Sequence, residues 1–531
     1  MRAHAMMRAM ETPAGCLRGI GIALFAAMLG ACATLRTDIP KPSSSALPAV
    51  ADTASTRYIA GEVAAHPGQS GFRPLLGNAN ALMSRVVLAD AARHSIDLQY
   101  YIFKNDATGR LLAQRLLAAA DRGVRVRILL DDLDISKEDR MLDALDAHPN
   151  VEVRLFNPFR FRQRSIVSKA GQFLLEGPRL NRRMHNKAFI VDGMQAIVGG
   201  RNIGDAYFDA GDDVHFRDLD VLAIGPVVPQ VAAMFDRYWN SDAAFPVTAY
   251  SDNDASDANL ATLRDRLLRD ARAFKDSEYA DVVAEDLPNG PSAERKGAWF
   301  WGEAHLAADD PDKVDPAPGV DERRLRHIAP ALRRVLDAAQ SQALLVSPYF
   351  IPGDEGVALL TGLVARGASV KVLTNALSAT DEPEVHAGYA KYREALLKGG
   401  VELYELKGLR GVTDQRAYGT SSGVSLHAKA MVIDHRRVFV GSMNFDPRSV
   451  ALNTEMGVIV DSPGLADAIE QFFAHATAPD NAYRVELDHS HLRWTGQDDG
   501  KAVEFDHDPG ASRWQRAKLR MLRLLPIEGL L

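Results

Sequence analysis

The chain has 531 residues, of which 47% are hydrophobic and 25% charged, so it has the composition of a globular protein and is too long for a single hydrophobic core. A net charge of −7 argues against a general nucleic-acid binder, because such proteins usually carry a basic surface. The two cysteines, Cys16 and Cys32, both lie near the amino terminus, so no disulfide is expected in the folded part of the protein.

The amino terminus is predicted to be a targeting segment. Three arginines precede the apolar stretch Ile20–Leu29, which is too short to span a bilayer as a mature helix. The sequence Leu29-Gly30-Ala31-Cys32 resembles the lipoprotein box of bacteria, in which the cysteine is lipidated and becomes the new amino terminus. Residues 1–32 are therefore predicted to be a lipoprotein signal peptide, with a secretory signal carrying an incidental cysteine and an uncleaved anchor as alternatives.

The residues after Cys32 indicate how such a protein would be attached. Residues 33–70 begin with a stretch rich in proline and serine and are predicted to be a flexible tether. One acyl chain binds a membrane only marginally, whereas several acyl chains on Cys32 would hold the protein stably on the bilayer. We expect attachment on the periplasmic face of the bacterial envelope, and Ala33 in place of an aspartate favours the outer membrane, by resemblance to Gram-negative lipoproteins.

From residue 71 to 250 the hydrophobic pattern alternates between helices and strands. Strands are predicted at 95–103, 124–130 and 151–156, and helices at 82–92, 110–122 and 139–147. The same order returns within 326–480, where strands are predicted at 344–349, 370–373 and 401–406. Such alternation implies an α/β fold in which a parallel or mixed sheet is covered by helices. The repetition predicts two similar lobes.

The segment between the lobes, 251–325, is predicted to be a helical and linker insert. A charged helix is predicted at 260–274, and a polar linker broken by prolines runs from Asp309 to Pro318. The aromatic cluster Trp299-Phe300-Trp301 lies between them. It is interpreted either as packing between the lobes or as a lipid-facing wedge.

A carboxyl-terminal extension, 481–531, is predicted to end in a basic amphipathic helix over 512–525. On a helical wheel, four arginines share one face, and the opposite face is apolar; these are Arg513, Arg516, Arg520 and Arg523, and Trp514, Ala517, Met521, Leu522 and Leu525. The pattern suits a helix lying on anionic lipid. It suits equally a helix docked on the core of the protein.

The strongest signal is a stretch that occurs twice. His185-Asn186-Lys187 is followed by four apolar residues and Asp192, and His427-Ala428-Lys429 is followed by four apolar residues and Asp434. Further matching positions occur at common offsets, namely Gly199 with Gly441 and Asn202 with Asn444. Each copy of the motif lies in its own lobe and supplies half of a site. The sequence therefore predicts one site built from both lobes.

The duplicated residues suit phosphodiester chemistry. Histidine, with a reference pKa of about 6.5, can act as nucleophile and as proton donor near neutral pH. One imidazole would attack phosphorus to form a phosphohistidine, and the other would protonate the departing alkoxide. The candidates for balancing the phosphate charge are Lys187, Lys429, Asn202 and Asn444. Because no zinc-binding spacing or phosphate-binding glycine loop is found, no metal or cofactor is predicted.

Each imidazole also needs a carboxylate to orient its other ring nitrogen. Alignment of the two halves places Asp218 opposite Glu455, so these two are the predicted orienting residues, with Asp220 as the alternative to Asp218. Asp192 and Asp434 belong to the candidate catalytic motif. Their positions at strand ends predict that they stabilise turns rather than contact substrate.

The spacing of both copies resembles the signature of the phospholipase D superfamily, which is His-x-Lys, four residues, Asp, six residues, then Gly-Ser or Gly-Gly and Asn. Gly200 stands where the second copy has Ser442, so one phosphate-binding hydroxyl is missing and the halves are not expected to be equivalent. The resemblance implies two lobes of mixed β-sheet flanked by helices, related by pseudo-twofold symmetry, with the active site at their interface. It also implies His185 as the nucleophile, and Gly200 and Ser442 among the phosphate-binding positions.

Within this superfamily the chain resembles the bacterial cardiolipin synthases, and most of all the type often called C. The residues that carry the resemblance are Leu98-Gln99-Tyr100-Tyr101-Ile102, 181–187, 199–207, 385–390 and 444–449. It implies a membrane-attached phosphatidyltransferase that forms cardiolipin from phosphatidylglycerol and a second phospholipid, either phosphatidylethanolamine or phosphatidylglycerol. The expected partners are these phospholipids and a membrane surface, not nucleic acid. The main alternative is an envelope phospholipase D hydrolase that releases phosphatidic acid; a nuclease and a non-enzymatic scaffold are further alternatives.

Overall fold

A computed structural model describes residues 33–133, 139–162, 176–211, 215–250, 256–277, 279–281, 299–314, 327–408, 423–489 and 491–523. The predicted signal peptide, including Cys32, lies outside the described residues, as does Leu525. Within the described ranges, none of the helices is both long enough and apolar enough to cross a bilayer.

The first half of the chain alternates strands and helices. Its strands are β1 (Ala33–Thr34), β2 (Ser70–Leu75), β3 (Ser95–Tyr100), β4 (Arg125–Asp131), β5 (Val151–Phe156), β6 (Phe161–Arg162), β7 (Ala188–Val191), β8 (Gln195–Gly199), β9 (His215–Arg217), β10 (Asp220–Ile224) and β11 (Ala244–Pro246). Its helices are α1 (Ala54–Ala65), α2 (Asn78–Ala91), α3 (Ala107–Asp121), α4 (Asp139–Asp146), α5 (Asp205–Phe208), α6 (Val227–Trp239) and α7 (Asp257–Lys275), with a 3₁₀ turn at Val247–Ala249.

The second half repeats this order. Its strands are β12 (Phe300–Ala308), β13 (Gln342–Val346), β14 (Ser369–Asn375), β15 (Glu402–Leu406), β16 (Val424–Leu426), β17 (Ala430–Ile433), β18 (Arg437–Gly441), β19 (Met456–Asp461), β20 (Ala482–Asp488), β21 (His491–Asp498) and β22 (Lys501–Phe505). Its helices are α8 (Ile328–Asp337), α9 (Gly353–Ala365), α10 (Pro383–Ala390), α11 (Arg393–Lys398), α12 (Pro447–Ala451), α13 (Pro463–Ala476) and α14 (Arg513–Leu522), with a 3₁₀ turn at Pro311–Lys313.

The two lobes have matching sheets. The strand order of the first lobe is β11-β5-β4-β3-β7-β8-β10-β2, and that of the second lobe is β20-β15-β14-β13-β17-β18-β19-β12. In each lobe three adjacent strands are parallel and the others are antiparallel. The predicted fold class, two similar α/β lobes with mixed sheets flanked by helices, is therefore confirmed.

Strand β12 joins the two sheets into one. Its first residues, Phe300 to Gly302, pair with β2 of the first lobe, and the rest, Glu303 to Ala308, pairs with β19 of the second lobe. A single apolar core continues across the junction and includes Phe72, Ile190 and Val198 from the first lobe and Val346 and Phe473 from the second. Because this core is shared, the two halves of the motif are held at a fixed separation.

The parallel strands are buried because helices cover both faces of the sheet. Every residue of β3 is buried, and β4 and β14 carry runs of Val, Ile and Leu that are typical of such strands. The alternation of polar and apolar residues along 95–103 is typical of a strand that is buried on one face only. Its polar residues are instead accommodated by buried partners; for example, Asp97 accepts hydrogen bonds from Arg127 at 2.7 and 2.8 Å.

The prediction of a flexible tether over 33–70 is wrong for the described residues. Part of the segment forms α1, and its proline-rich portion lies against the first lobe. The buried guanidinium of Arg154 donates to the carbonyl of Pro42 at 2.6 Å, and that of Arg127 donates to the carbonyl of Ser44 at 3.0 Å. Buried guanidinium groups require acceptors, and here the backbone of this segment supplies them.

The predicted insert, 251–325, also belongs to the lobes where it is described. Helix α7 packs on α3 and α4 through Leu260, Leu263 and Leu267. Asp309, predicted to begin a polar linker, is fully buried, pairs with Lys313 at 2.9 Å, and accepts from the N–H of Glu455 at 2.9 Å. The burial of Asp309 could not be predicted from the sequence, because this proline-rich stretch has no periodic pattern of apolar residues.

The aromatic cluster at 299–301 packs within the protein at the start of β12. Trp299 is buried in a cluster with Ile59 and Ile224, and Trp301 stacks on His66 with ring centroids 3.9 Å apart. Of the two interpretations of this cluster, packing at the lobe junction agrees with these contacts.

Candidate active site

Both copies of the motif stand at the beginning of an inner strand. The four apolar residues after Lys187 form β7, and those after Lys429 form β17, and all eight are buried. The histidines and lysines lie just before these strands, so the buried strand anchors them at one edge of its sheet. Asn186 points away, where its Oδ1 accepts from the Thr454 hydroxyl at 2.8 Å.

The chain before each histidine pairs with the opposite lobe. Met184 forms a parallel bridge with Thr454, and the N–H of His185 donates to the Thr454 carbonyl at 2.9 Å. In the same way, β16 pairs with β9, and the N–H of His427 donates to the Arg217 carbonyl at 2.7 Å. The residue that follows each of these partners is a predicted orienting carboxylate.

Each imidazole is therefore held by a carboxylate of the other lobe. His185 Nδ1 lies 2.9 Å from Glu455 Oε2, and His427 Nδ1 lies 2.5 Å from Asp218 Oδ2. Both rings are nearly buried, with 6% of His185 and 5% of His427 exposed. Because Nδ1 is engaged in both rings, Nε2 is the nitrogen left to react. The two histidine–carboxylate pairs are therefore related to each other by the pseudo-twofold symmetry of the lobes.

The two carboxylates have different second partners. Glu455 Oε2 also accepts from the hydroxyl of Ser442, which in turn accepts from the N–H of Met456 at 3.0 Å. Asp218 Oδ1 accepts from the N–H of Leu219 at 2.7 Å instead. A side chain at Gly200 would not fit, because a Cβ there would lie 2.2 Å from Asp218 Oδ1.

Both lysines are buried and donate to the carbonyl of the histidine in their own motif. Lys187 Nζ lies 2.5 Å from the His185 oxygen, and Lys429 makes the equivalent bond to His427. Burial lowers the pKa of Lys187 well below its usual value and that of Lys429 to about 8. Two buried lysines beside two imidazoles form a site that favours an anionic ligand, because the anion would stabilise their charged forms.

Protonation differs between the two histidine–carboxylate pairs. Burial raises the pKa of Glu455 to about 8, and burial together with Lys187 and Lys429 lowers the pKa of His185. Burial would also raise the pKa of Asp218, but His427 and Lys429 outweigh it and lower the value to about 2. Asp218 is therefore a fixed anion beside His427, whereas Glu455 is not a fixed anion at neutral pH.

The two asparagines of the motif also differ. The Asn202 amide is engaged, since Oδ1 accepts from the N–H of Ile102 at 3.2 Å and Nδ2 donates to the Tyr207 hydroxyl at 2.8 Å. Asn444 Oδ1 is buried and has no hydrogen-bond partner among the described residues. The roles of Asn202, Asn444, Ser442 and Gly200 in phosphate binding stay predictions.

The remaining candidate carboxylates lie away from the imidazoles. Asp192 accepts from the N–H groups of 93–95, and Asp434 accepts from those of 340–342, and each has a positive φ. These contacts are those of turn-stabilising residues. Asp220, the alternative orienting residue, pairs with Arg85 at 2.8 Å instead of a histidine.

Several residues beside the histidines were not singled out from the sequence. Tyr101 meets His185 edge-on at 5.2 Å between centroids, and Tyr207 meets His427 in the same way at 5.2 Å. Phe216 also contacts His427. Arg448 contributes a positive charge that lowers the pKa of His185. Tyr101, Tyr207 and Arg448 lie in stretches that carried the family resemblance, which was the one available signal.

Comparison with known proteins agrees with this geometry. Residues 86–239 and 332–477 match the family model described as "Cardiolipin synthase, PLD-like domain". The chain is 41% identical to Cardiolipin synthase C of Escherichia coli (strain K12), over 88% of this chain and 97% of that protein. It is 24% identical to Cardiolipin synthase 2 of Staphylococcus epidermidis, over 72% of this chain and 63% of that protein.

Among solved structures, the crystal structure of phosphatidylserine synthase from Haemophilus influenzae Rd KW20 has the same fold. The TM-score is 0.54 at 12% identity, and the match covers 90% of this chain and 100% of that one. Two lobes that exchange histidine partners define an enzyme of the phospholipase D type. The chain belongs to the phospholipase D superfamily, in its cardiolipin synthase family.

Proposed function

We infer that this chain is a phosphatidyltransferase of the phospholipase D type that synthesises cardiolipin. The observation that carries this inference is the pair of buried imidazoles, His185 and His427, each held at Nδ1 by a carboxylate of the other lobe. Two histidines whose Nε2 atoms have no hydrogen-bond partner among the described residues, beside two buried lysines, supply a nucleophile, a general acid and positive charge at one place. The similarity to cardiolipin synthases over most of the chain supports the choice of product.

His185 is assigned as the nucleophile. Loss of one proton from the His185–Glu455 pair leaves a neutral ring with hydrogen on Nδ1 and a bare Nε2. This nitrogen attacks the phosphorus of the first phospholipid, and the bond from phosphorus to the headgroup oxygen breaks. The headgroup oxygen takes a proton from His427 Nε2, and a phosphatidyl-histidine remains on the enzyme.

His427 is assigned as the acid and then as the base. Burial and Lys429 lower the pKa of His427, and the Asp218 carboxylate opposes them by stabilising the imidazolium form that donates the proton to the headgroup. In the second step the neutral ring removes a proton from the glycerol hydroxyl of phosphatidylglycerol. The resulting oxygen attacks phosphorus, the bond to His185 Nε2 breaks, and cardiolipin is released.

The two substrates share a phosphodiester but differ in headgroup. Phosphatidylglycerol is assigned as the acceptor, because cardiolipin is formed when its hydroxyl attacks the phosphatidyl group. The donor is phosphatidylethanolamine or a second phosphatidylglycerol, and the same histidines serve either one. The positive site formed by Lys187 and Lys429 suits the phosphate that the two donors have in common.

We also propose attachment to the envelope membrane through a lipid on Cys32, on the periplasmic face. Described residues directly after Cys32 lie against the first lobe, where β1 pairs with β6 and the N–H of Leu35 donates to the Arg160 carbonyl at 2.8 Å. A lipid on Cys32 would thus hold the enzyme body close to the bilayer. In cells given a labelled fatty acid, label should be found in the wild type and not in Cys32→Ser.

The reaction is tested with purified protein and vesicles of labelled phosphatidylglycerol, with and without phosphatidylethanolamine. Cardiolipin is expected from the wild type and not from His185→Ala or His427→Ala. His435→Ala is the matched control, since His435 also has a carboxylate partner, Glu470 at 2.9 Å, but lies exposed at the far end of β17. Phosphatidic acid without cardiolipin would contradict the proposal and identify a hydrolase.

A further inference from the structure

The carboxyl-terminal helix α14 is fixed to the second lobe on one side only. Leu519 and Leu522 are buried against Leu377, Ala387 and Ala390. Lys518 also pairs with Glu384 of α10 at 2.8 Å. A capping box at Ser512 fixes the start of the helix. The helix is therefore held in place by its inner side, independently of any further partner.

Its outer side presents apolar side chains to solvent. Trp514 is 77% exposed and Met521 is 59% exposed, and Ala517 lies between them on the same stripe at helical spacing. The sequence pattern had grouped Leu522 with this stripe, but Leu522 faces the protein. The other tryptophans are buried or partly buried, so Trp514 is the tryptophan that solvent reaches most.

The same outer side is strongly basic. Residues 512–523 contain the basic side chains Arg513, Arg516, Lys518, Arg520 and Arg523 and no acidic residue, although the whole chain has a net charge of −7. Arg513 and Arg520 lie on one flank of the apolar stripe and are exposed. Neither has an ion-pair partner among the described residues.

Helix α14 also lies beside the residues that surround the site. It packs on α10. Two residues just before α10, Asp381 and Glu382, interact electrostatically with groups of the site, and Glu382 also interacts with α14. Asp381 accepts from the Tyr349 hydroxyl at 2.8 Å and acts electrostatically on Lys429. Glu382 is influenced by Arg448, near His185, and by Lys518 of α14. Helix α14 therefore lies near the proposed catalytic groups.

We propose that the outer face of α14 docks on an anionic phospholipid bilayer and holds the site beside its lipid substrates. The choice of a bilayer rests on the proposed function, and charge complementarity supports it, because the arginines suit phosphate headgroups. Tryptophan and methionine on the same face would enter the boundary between headgroups and acyl chains. A basic patch would add a second attachment signal to a lipid on Cys32.

The charge is tested by flotation of the full chain carrying Cys32→Ser, so that the lipid anchor does not mask the helix. Vesicles of phosphatidylcholine with phosphatidylglycerol should bind the protein, and phosphatidylcholine alone should bind it weakly. Arg513→Glu with Arg520→Glu should weaken binding about 25-fold or more, since each basic residue near an anionic surface strengthens binding about fivefold. The matched control is Arg269→Glu with Arg272→Glu on α7, where both arginines are exposed.

Insertion is tested by quenching of tryptophan fluorescence with brominated phosphatidylglycerol. The quenching should be largely lost in Trp514→Phe, because the other tryptophans are less accessible. The melting temperature of every variant should equal that of the parent, since the changed side chains are exposed. Equal vesicle binding by parent and α14 variants would overturn the proposal. So would self-association through α14 without lipid binding, which would make a second copy the occupant.

This proposal and the proposed function fail separately. If the protein makes cardiolipin from lipids in detergent micelles but α14 does not affect vesicle binding, the docking surface is overturned and the function stands. If α14 is required for binding to phosphatidylglycerol vesicles but the protein forms no cardiolipin in micelles or vesicles, the function fails and the docking surface stands.

Discussion

The two lobes carry the same motif but hold their carboxylates in different ways. In the first lobe Asp218 has the shorter side chain, rests against Gly200, and accepts from the N–H of Leu219 at 2.7 Å. In the second lobe Glu455 is one methylene longer and accepts from the Ser442 hydroxyl. Each carboxylate contacts the histidine of the other lobe. A local change beside one carboxylate therefore alters the chemistry of the histidine in the opposite lobe.

In the proposed mechanism this difference suits the two histidines to different tasks. Asp218, with a pKa of about 2, stays ionised and opposes the burial and the Lys429 charge that lower the pKa of His427, the proposed general acid. Burial raises the pKa of Glu455 to about 8 and lowers that of His185, so the ring is kept neutral, and loss of the Glu455 proton leaves hydrogen on Nδ1 and a bare Nε2. The two halves therefore differ around their carboxylates in a way that suits the proposed roles of His185 as nucleophile and His427 as acid.

The largest expected effect separates the two histidines directly. With natural phospholipids, His185→Ala should lower turnover at least about 10⁴-fold because the nucleophile is lost, and His427→Ala about 10²- to 10⁴-fold because the acid is lost. A phosphatidyl ester of p-nitrophenol needs no proton to release its leaving group. With this ester His427→Ala should give a burst of one p-nitrophenol per enzyme, and His185→Ala should give none.

A burst from His185→Ala, and none from His427→Ala, would reverse the assignment. Absence of a burst from both variants would contradict a covalent intermediate. His435→Ala should behave as the wild type in the same assay, since it replaces an exposed histidine.

The next effect compares the two orienting carboxylates. Asp218→Asn removes a fixed anion, so His427 no longer holds a proton well and kcat should fall about 10³-fold. Glu455→Gln keeps an oxygen for the Nδ1–H of His185, so kcat should fall only about tenfold. Wild-type kcat/KM should rise with pH up to about 8, as the His185–Glu455 pair loses a proton, and Glu455→Gln should abolish this rise. Equal losses in the two variants would contradict the comparison.

A third test exchanges the small residues beside the carboxylates. Gly200→Ser should lower activity about 10²-fold, because its Cβ would lie 2.2 Å from Asp218 Oδ1 and push the carboxylate from His427. Ser442→Gly should lower activity only about tenfold and reduce the free energy of unfolding by about 1–3 kcal/mol, because it removes hydrogen bonds to Glu455 and Met456. Steady-state kinetics and urea unfolding measure both, and full activity in Gly200→Ser would contradict the crowding.

Much of the fold could be predicted because it is periodic and duplicated. The strands at 95–103, 124–130 and 151–156 correspond to β3, β4 and β5, and their counterparts recur in the second lobe. The packing of 33–70 and of Asp309 could not be predicted. Those residues make single hydrogen bonds to buried groups, such as the Arg154 guanidinium, and such contacts produce no repeating pattern in the sequence.

For the site, alignment of the halves placed Asp218 opposite Glu455 but did not show which histidine each would contact. The crossed pairing depends on β16 lying beside β9 and on Met184 lying beside Thr454, which are contacts between lobes. Sequence spacing describes each lobe separately, so it carries no record of such contacts. The aromatic neighbours of the histidines, Tyr101 and Tyr207, were hidden for the same reason.

The smallest expected effect separates the two lysines. Burial lowers the pKa of Lys429 to about 8, so its positive charge is present below that pH and is lost as the pH rises through it. The alkaline fall of kcat/KM should therefore have an apparent pKa of about 8. Lys429→Arg should move this fall to higher pH, since a guanidinium stays charged, and should lower the rate at pH 7 less than tenfold. Lys187→Arg is the matched comparison and should leave the fall near pH 8 in place. If Lys187→Arg shifts the fall and Lys429→Arg does not, the two lobes have exchanged these roles.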